Sequence, residues 1–184
     1  MNNLRNINSL REKYKFEEYD DRYPDLYDAE RDRILQKLAG KVIKIHHFGS
    51  TAIKNVGGKG VIDILIESNQ PNIQEVSEIL TREFGYEYRK SGSYGKRLFH
   101  QIEVNGRRYH IHLVSFNDNE TVKVLAFRDF LIQRPDLARE YSEIKRLASN
   151  YALKMNTKKD MKQIYMSTKK PAMNKIVRIM KAGN

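Results

Sequence analysis

A Gly-Ser pair, Gly49-Ser50, closes the β-branched run Val42-Ile43-Lys44-Ile45-His46-His47-Phe48. Thirteen residues after Ser50, Asp63 is the one charge inside the most apolar run of the chain, Val61-Ile62-Asp63-Ile64-Leu65-Ile66. Glycine at a strand end removes the Cβ that would keep a phosphate away, and the neighbouring hydroxyls of Ser50 and Thr51 and successive backbone N–H groups can donate to its oxygens. A carboxylate in an apolar strand needs donors, a cation or a metal to offset its lost hydration. Two readings of Asp63 stand side by side: a metal-holding acid, or an acceptor for the Gly49–Thr51 turn. His110 and His112 are two apart in a run of strand character and so share a face. With Asp63 they would form a carboxylate-plus-two-imidazole set for one divalent cation, where imidazole favours Zn, Mn, Fe or Ni over Mg. The alternatives are donors to phosphate and satisfied histidines on a half-exposed sheet. Lys59, Arg97, Arg107, Arg128 and Lys145 are candidate phosphate partners, against a reading as solvated charges. Tyr94 and Tyr109 are candidates for stacking a base.

The spacing predicts the elements that must hold these groups. Pro24 and Asp25 start a helix, with Asp25 as its cap, that ends near Gly40. Val42–Phe48 and Val61–Ile66 read as strands, the second buried on both faces, and Ala52 to Gly60 as a loop. A helix follows over Pro71–Phe84, then a short strand near 85–89. A hairpin crosses Asn105-Gly106, pairing 96–104 with 107–116. From Asn119 the pattern is helical: Thr121–Gln133 with Asn119 or Glu120 at its cap, a helix opened by Pro135, and one over 159–181 that Pro171 is expected to kink or break. The expected fold is α+β: a mixed β-sheet flanked by helices, with C-terminal helices. We read residues 1–184 as one domain, its core about 23–118 and its helical segment about 119–182.

Composition narrows the classes. The 184 residues contain no cysteine, which excludes disulfides, thiolate zinc sites and Cys nucleophiles. No stretch approaches the roughly 20 apolar residues that span a bilayer, and the polar Met1–Arg11 has no signal-peptide core. The expectation is a soluble cytoplasmic protein without membrane contact. The net charge is +11, and it is uneven. From Lys145 onward there are eleven Lys or Arg against Asp160 alone, a net of +10, which leaves +1 for the other 144 residues. A basic tail attracts polyanions, so RNA contact through the C-terminal helices is one reading, and a solvated lysine face is the other.

Several separated segments together resemble the GrpB family: His47-Phe48-Gly49-Ser50-Thr51-Ala52-Ile53, Lys59, Val61–Ile66, Tyr109–Val114 with its His-x-His, Phe127–Leu131, Pro135 and Glu140–Ala148. The resemblance runs from about Tyr23 to Lys181. It implies a nucleotidyltransferase-like fold that binds a nucleotide, such as a nucleoside triphosphate, or another phosphorylated small molecule. Asp63 and Ser50 would be the catalytic candidates. Asp63 would hold a divalent cation, Mg or Mn or another transition metal, Gly49 and Ser50 would position the phosphates, and Lys59 with Arg128 would neutralise charge. Arg128 and Lys145 stand in matched helical segments. The chain departs from the family pattern at Lys54-Asn55 and Gly57-Gly58-Lys59-Gly60, where the loop is richer in glycine.

Active transferases of that superfamily carry two acids two residues apart on one strand, plus a third on a neighbour, and hold two metals. The position two after Asp63 is Leu65. Glu67, on the same face, is roughly 13 Å from Asp63 by strand rise. The residues therefore leave three functions open: metal-dependent nucleotidyl transfer to an acceptor, a non-catalytic module binding a nucleotide or CoA-related ligand (a similar domain is fused to dephospho-CoA kinase), and RNA binding through the tail.

Overall fold

The structure, a computed structural model, describes residues 9–93 and 97–182; the expectation for Tyr94 lies outside them. The chain divides into two compact units. Residues 20–52 and 61–128 form a sheet unit. Residues 9–19, 53–60 and 129–182 form a helical unit.

The sheet unit opens with α1 (Tyr23–Lys37), which is not capped by a side chain; Asp25 lies in its first turn instead. An acid there interacts with the exposed N–H end of the helix without bonding it. β1 (Val42–Phe48) and β2 (Val61–Ser68) follow, then α2 (Ile73–Arg82), β3 (Glu87–Tyr88), β4 (Leu98–Val104) and β5 (Arg107–Ser115). The five strands make one mixed sheet in the order β1-β2-β5-β4-β3. Only β2 and β5 run parallel; β1/β2, β4/β5 and β3/β4 are antiparallel. Asn105, at φ 51°, and Gly106, at φ 73°, make the β4–β5 turn, as an Asn-Gly hairpin requires.

Register assigns the two faces. Ile62, Ile64 and Ile66 of β2 share a face with His47 of β1, Ile111 of β5 and His100 of β4. Two helices cover that face. Tyr27 of α1 stacks on His47 with ring centroids 4.6 Å apart, and Ser77 of α2 bonds His100 Nε2 at 2.9 Å. The opposite face carries Phe48, Asp63, Leu65, Glu67, His110, His112 and Phe99. β2 is buried at every position except Asp63. This amends the expectation of a strand buried on both faces throughout: the acid stays half-buried, so its carboxylate keeps part of its hydration.

α3 (Asn119–Gln133) carries the chain from the sheet unit, which ends at residue 128, into the helical unit. The side chain that caps it is that of Asp118 rather than Asn119 or Glu120: the Asp118 carboxylate accepts from Glu120 N at 2.8 Å. In the helical unit α4 (Pro135–Leu153) packs on α5 (Lys158–Ala182) through Ala148, Ala152, Met161 and Tyr165. Thr157 caps α5 by accepting from Asp160 N at 3.1 Å. α5 runs through Pro171 without the expected break. Pro171 is exposed, so the Ser167 carbonyl that it deprives of an N–H partner lies on the solvent side of the helix, where the loss costs least.

Candidate functional site

Gly49 and Asp63 form one corner. Phe48 pairs with Asp63 across β1/β2, so the residue after Phe48 turns directly over the acid. Gly49 holds φ +74°, and a Cβ built on it would collide with the Asp63 carboxylate, its Cγ lying 3.1 Å away. The glycine is thus needed twice, for its left-handed backbone and for the space the acid occupies. Ser50 follows as the first residue of a short 3-10 turn, Ser50–Ala52.

His110 is the parallel-register partner of Asp63, and its Nδ1 lies 3.4 Å from Asp63 Oδ1. Both side chains keep about a quarter of their surface, 23% and 24%, open to solvent. His112, one pleat along, packs edge-on against Phe48 and Phe99, with centroids 4.9 and 5.1 Å away. Phe99 also meets His110 at 5.0 Å. Burial holds His112 down to about 4, reinforced by the positive Arg97 and by His110 and opposed by Asp63. It is neutral at pH 7. The structure therefore brings Asp63 and His110 together, and sets His112 into an aromatic strip across β1, β5 and β4. Among the described residues no group of three or more His, Asp or Glu is arranged to hold a metal ion.

Thr51 is buried and its hydroxyl is engaged on both sides. It donates to Val61 O at 2.9 Å, closing the neck from which residues 53–60 depart, and lies 2.9 Å from His47 Nε2. Since the hydroxyl proton goes to a carbonyl, which only accepts, His47 Nε2 must be the donor in the second bond. Burial depresses His47 to about 4, with Arg128 adding to the effect and Asp63 opposing it, so the ring is neutral with its proton on Nε2. Arg128 donates to the His47 carbonyl at 2.7 Å and so pins the end of β1 just before the Gly49 corner.

Lys59 and Lys145 belong to the helical unit. Lys145 is buried and donates to Gly57 O at 2.8 Å, while Ser142 Oγ accepts from Gly57 N at 3.0 Å; α4 thus binds both backbone polar groups of one glycine. Lys59 Nζ lies over the rings of Tyr14 and Tyr165, at 5.0 and 5.1 Å.

Two features escaped the sequence reading. Glu67 is the most buried acid of the strand, 3% exposed, and it accepts from His46 Nε2 at 2.8 Å and from Asn117 N at 3.2 Å. Alternation along β1 and β2 carries that signal, because His46 lies opposite Leu65 on the face of Glu67. The aromatic strip was the second; Phe48, Phe99 and His112 come from three strands whose register no single segment reveals. Leu65, where a second metal-holding acid would stand, is 3% exposed.

The sequence model of the family described as "GrpB protein" matches residues 13–178. The chain is 31% identical over 130 residues to UPF0157 protein YqkA of Bacillus subtilis, a match covering 70% of this chain and 37% of that protein. It is 28% identical over 131 residues to UPF0157 protein BH1888 of Halalkalibacterium halodurans, covering 70% and 66%. It is 29% identical over 133 residues to the glutamate-rich protein GrpB of Alkalihalophilus pseudofirmus, covering 68% and 76%. The chain thus spans from about a third to about three quarters of these relatives' lengths. The crystal structure of the conserved protein GrpB from Enterococcus faecalis superposes with a TM-score of 0.69 at 25% identity, over 88% of this chain and 98% of that one.

Proposed function

Because the chain belongs to the GrpB family, whose fold is nucleotidyltransferase-like, we propose that it binds a nucleotide or another phosphorylated small molecule at the Gly49–Asp63 corner, together with one divalent cation that arrives with the ligand. The observation that carries this reading is the seating of the Asp63 carboxylate against the Cα of Gly49, half-open to solvent, with His110 beside it. Mg or Mn is held at such sites by one or two carboxylates plus the substrate's own phosphates, so a single acid with no resident three-ligand cage suits a nucleotide-borne ion. Asp63 would supply the protein's oxygen, His110 would hold the carboxylate in place, and the Gly49-Ser50 turn would meet the phosphates. Phe48, neutral His112 and Phe99 offer the ligand an uncharged wall beside the acid.

The same residues favour binding without transfer. The two-metal mechanism requires acids on neighbouring pleats to flank both the attacking and the leaving oxygen. Leu65 is buried hydrocarbon, and Glu67 is committed to His46 and Asn117 N.

Calorimetry with nucleoside triphosphates in the presence of Mn2+ tests the reading. Binding is expected with ATP or another triphosphate, and is expected to weaken at least tenfold in Asp63→Ala. Mn2+ alone is expected to bind only weakly. Absence of binding for every nucleotide, with and without Mg2+ or Mn2+, would overturn it. A labelled-nucleotide assay showing efficient transfer by the wild-type chain would overturn the non-catalytic part alone.

A further inference from the structure

We propose that the outer ridge of α5 docks on the phosphate backbone of a nucleic-acid duplex. Lys159, Lys170 and Lys181 stand eleven residues apart on the side of α5 away from Met161, Tyr165, Ala172 and Ile176; Lys162 and Arg178 lie to either side of that row, and Lys158 is in the first turn. All six side chains are exposed. In an α-helix eleven residues make almost three whole turns and advance about 16 Å, so these three cations return to nearly the same side. The ridge extends about 30 Å.

Elsewhere in the same unit several cations are paired with carboxylates. Arg134 meets Asp136 at 2.7 Å, Arg146 meets Glu18 at 2.7 Å and Glu143 at 3.3 Å, and Lys175 meets Glu140 at 2.7 Å. Among the described residues none of the six ridge cations has a carboxylate within ion-pair distance, and the sole acid of α5, Asp160, is tied to Thr157. Like charges at i,i+4, such as Lys158 and Lys162, destabilise a helix. A partner rich in anions relieves that repulsion and releases its own counterions.

The chemistry of the ridge selects among anionic partners. The apolar side of α5, through Met161, Tyr165, Ala172 and Ile176, is buried, and Met166 is its one large exposed apolar residue. A membrane-surface helix needs its apolar side for the lipid. Single-strand binding needs aromatic platforms for the bases, and the ridge has none. A duplex backbone requires only cations in a row.

The test is fluorescence anisotropy of the full chain with a 20-base-pair RNA duplex, a DNA duplex of the same sequence, and vesicles containing phosphatidylserine, over a range of salt. A triple variant, Lys159→Glu, Lys162→Glu and Lys170→Glu, is compared with a second, Lys37→Glu, Lys54→Glu and Lys90→Glu, that changes net charge equally away from the ridge. Circular dichroism checks that both fold. Affinity for a duplex is expected to fall steeply with salt. The ridge variant is expected to bind at least tenfold more weakly, with the slope of log K against log salt smaller by about three. The second variant is expected to change affinity less than threefold. RNA and DNA binding equally would show recognition through phosphate alone; a preference for one would add the sugar to the contact. Equal losses in the two variants, an unchanged slope, or tighter binding to the vesicles than to either duplex would overturn the proposal.

Discussion

Replacing Gly49 with alanine probes the corner directly, because two separable costs meet there. A residue with a Cβ at φ +74° costs about 1–2 kcal/mol in the left-handed region. The Cβ also collides with the Asp63 carboxylate, which must leave its rotamer well at a cost of about 0.5–1.5 kcal/mol. Gly40 supplies the internal control: it has φ +78°, and nothing lies within 4 Å of the Cβ it would gain. Gly40→Ala should therefore show the backbone cost alone. Gly49→Ala should destabilise the ligand-free chain by about 2–3 kcal/mol, a fall in Tm of roughly 5–10 °C for a chain of this size. In an Asp63→Ala background the collision is gone, so the same substitution should cost less by about 1 kcal/mol. Urea denaturation of the four members of that cycle, with Gly40→Ala beside them, measures each term. Equal effects at Gly40 and Gly49, together with no coupling between Gly49 and Asp63, would refute the reasoning that acid and glycine share one space.

Further outcomes follow from the same structure. His47, His100 and His112 are each held at about 4 by burial, below their value near 6.5 in the unfolded chain. The unfolded state binds more protons between those values, so stability present above pH 6.5 is lost as pH falls toward 4, on the order of 3 kcal/mol per histidine; denaturation midpoints at pH 7.5, 6 and 5 should show the fall, and His112→Phe should reduce it. Lys145→Met leaves the buried Gly57 carbonyl without its charged donor and should destabilise by about 2–3 kcal/mol while leaving nucleotide affinity unchanged, whereas a phosphate-binding lysine would show the reverse in calorimetry. Thr51→Val removes the bond to Val61 O and the acceptor for His47 Nε2, and should cost about 1–3 kcal/mol in thermal unfolding; a loss below 0.5 kcal/mol would contradict the engaged-hydroxyl assignment.

Local rules carried the sequence reading a long way. β-branched runs marked β1 and β2, Asn105-Gly106 marked the hairpin, and Pro135 marked the start of α4. These signals lie within a few residues of one another, where backbone preference decides. Helix caps were less legible, since Asp25 and Asp118 are equally good candidates by type and only geometry shows which one bonds an N–H. At the site, the pairing of Asp63 with His110 agreed with alternation along β5. The place of His112 between Phe48 and Phe99 did not follow from any one segment, because it depends on β4 lying beside β5 in a particular register. Lys145 illustrates the same limit: type and position suggest a phosphate partner, and burial against Gly57 O makes it a strut.

The single parallel pairing in the sheet has a kinetic consequence. β4 and β5 meet across a two-residue turn, so they can associate early, while Asp63 reaches His110 only after a loop of 47 residues closes. Contacts of such long sequence separation form late, since the entropy of closure precedes any gain from pairing. The Asp63–His110 pair is therefore among the last contacts of the sheet to form, and a nascent chain sets its imidazole beside the acid only once the hairpin has docked on β2.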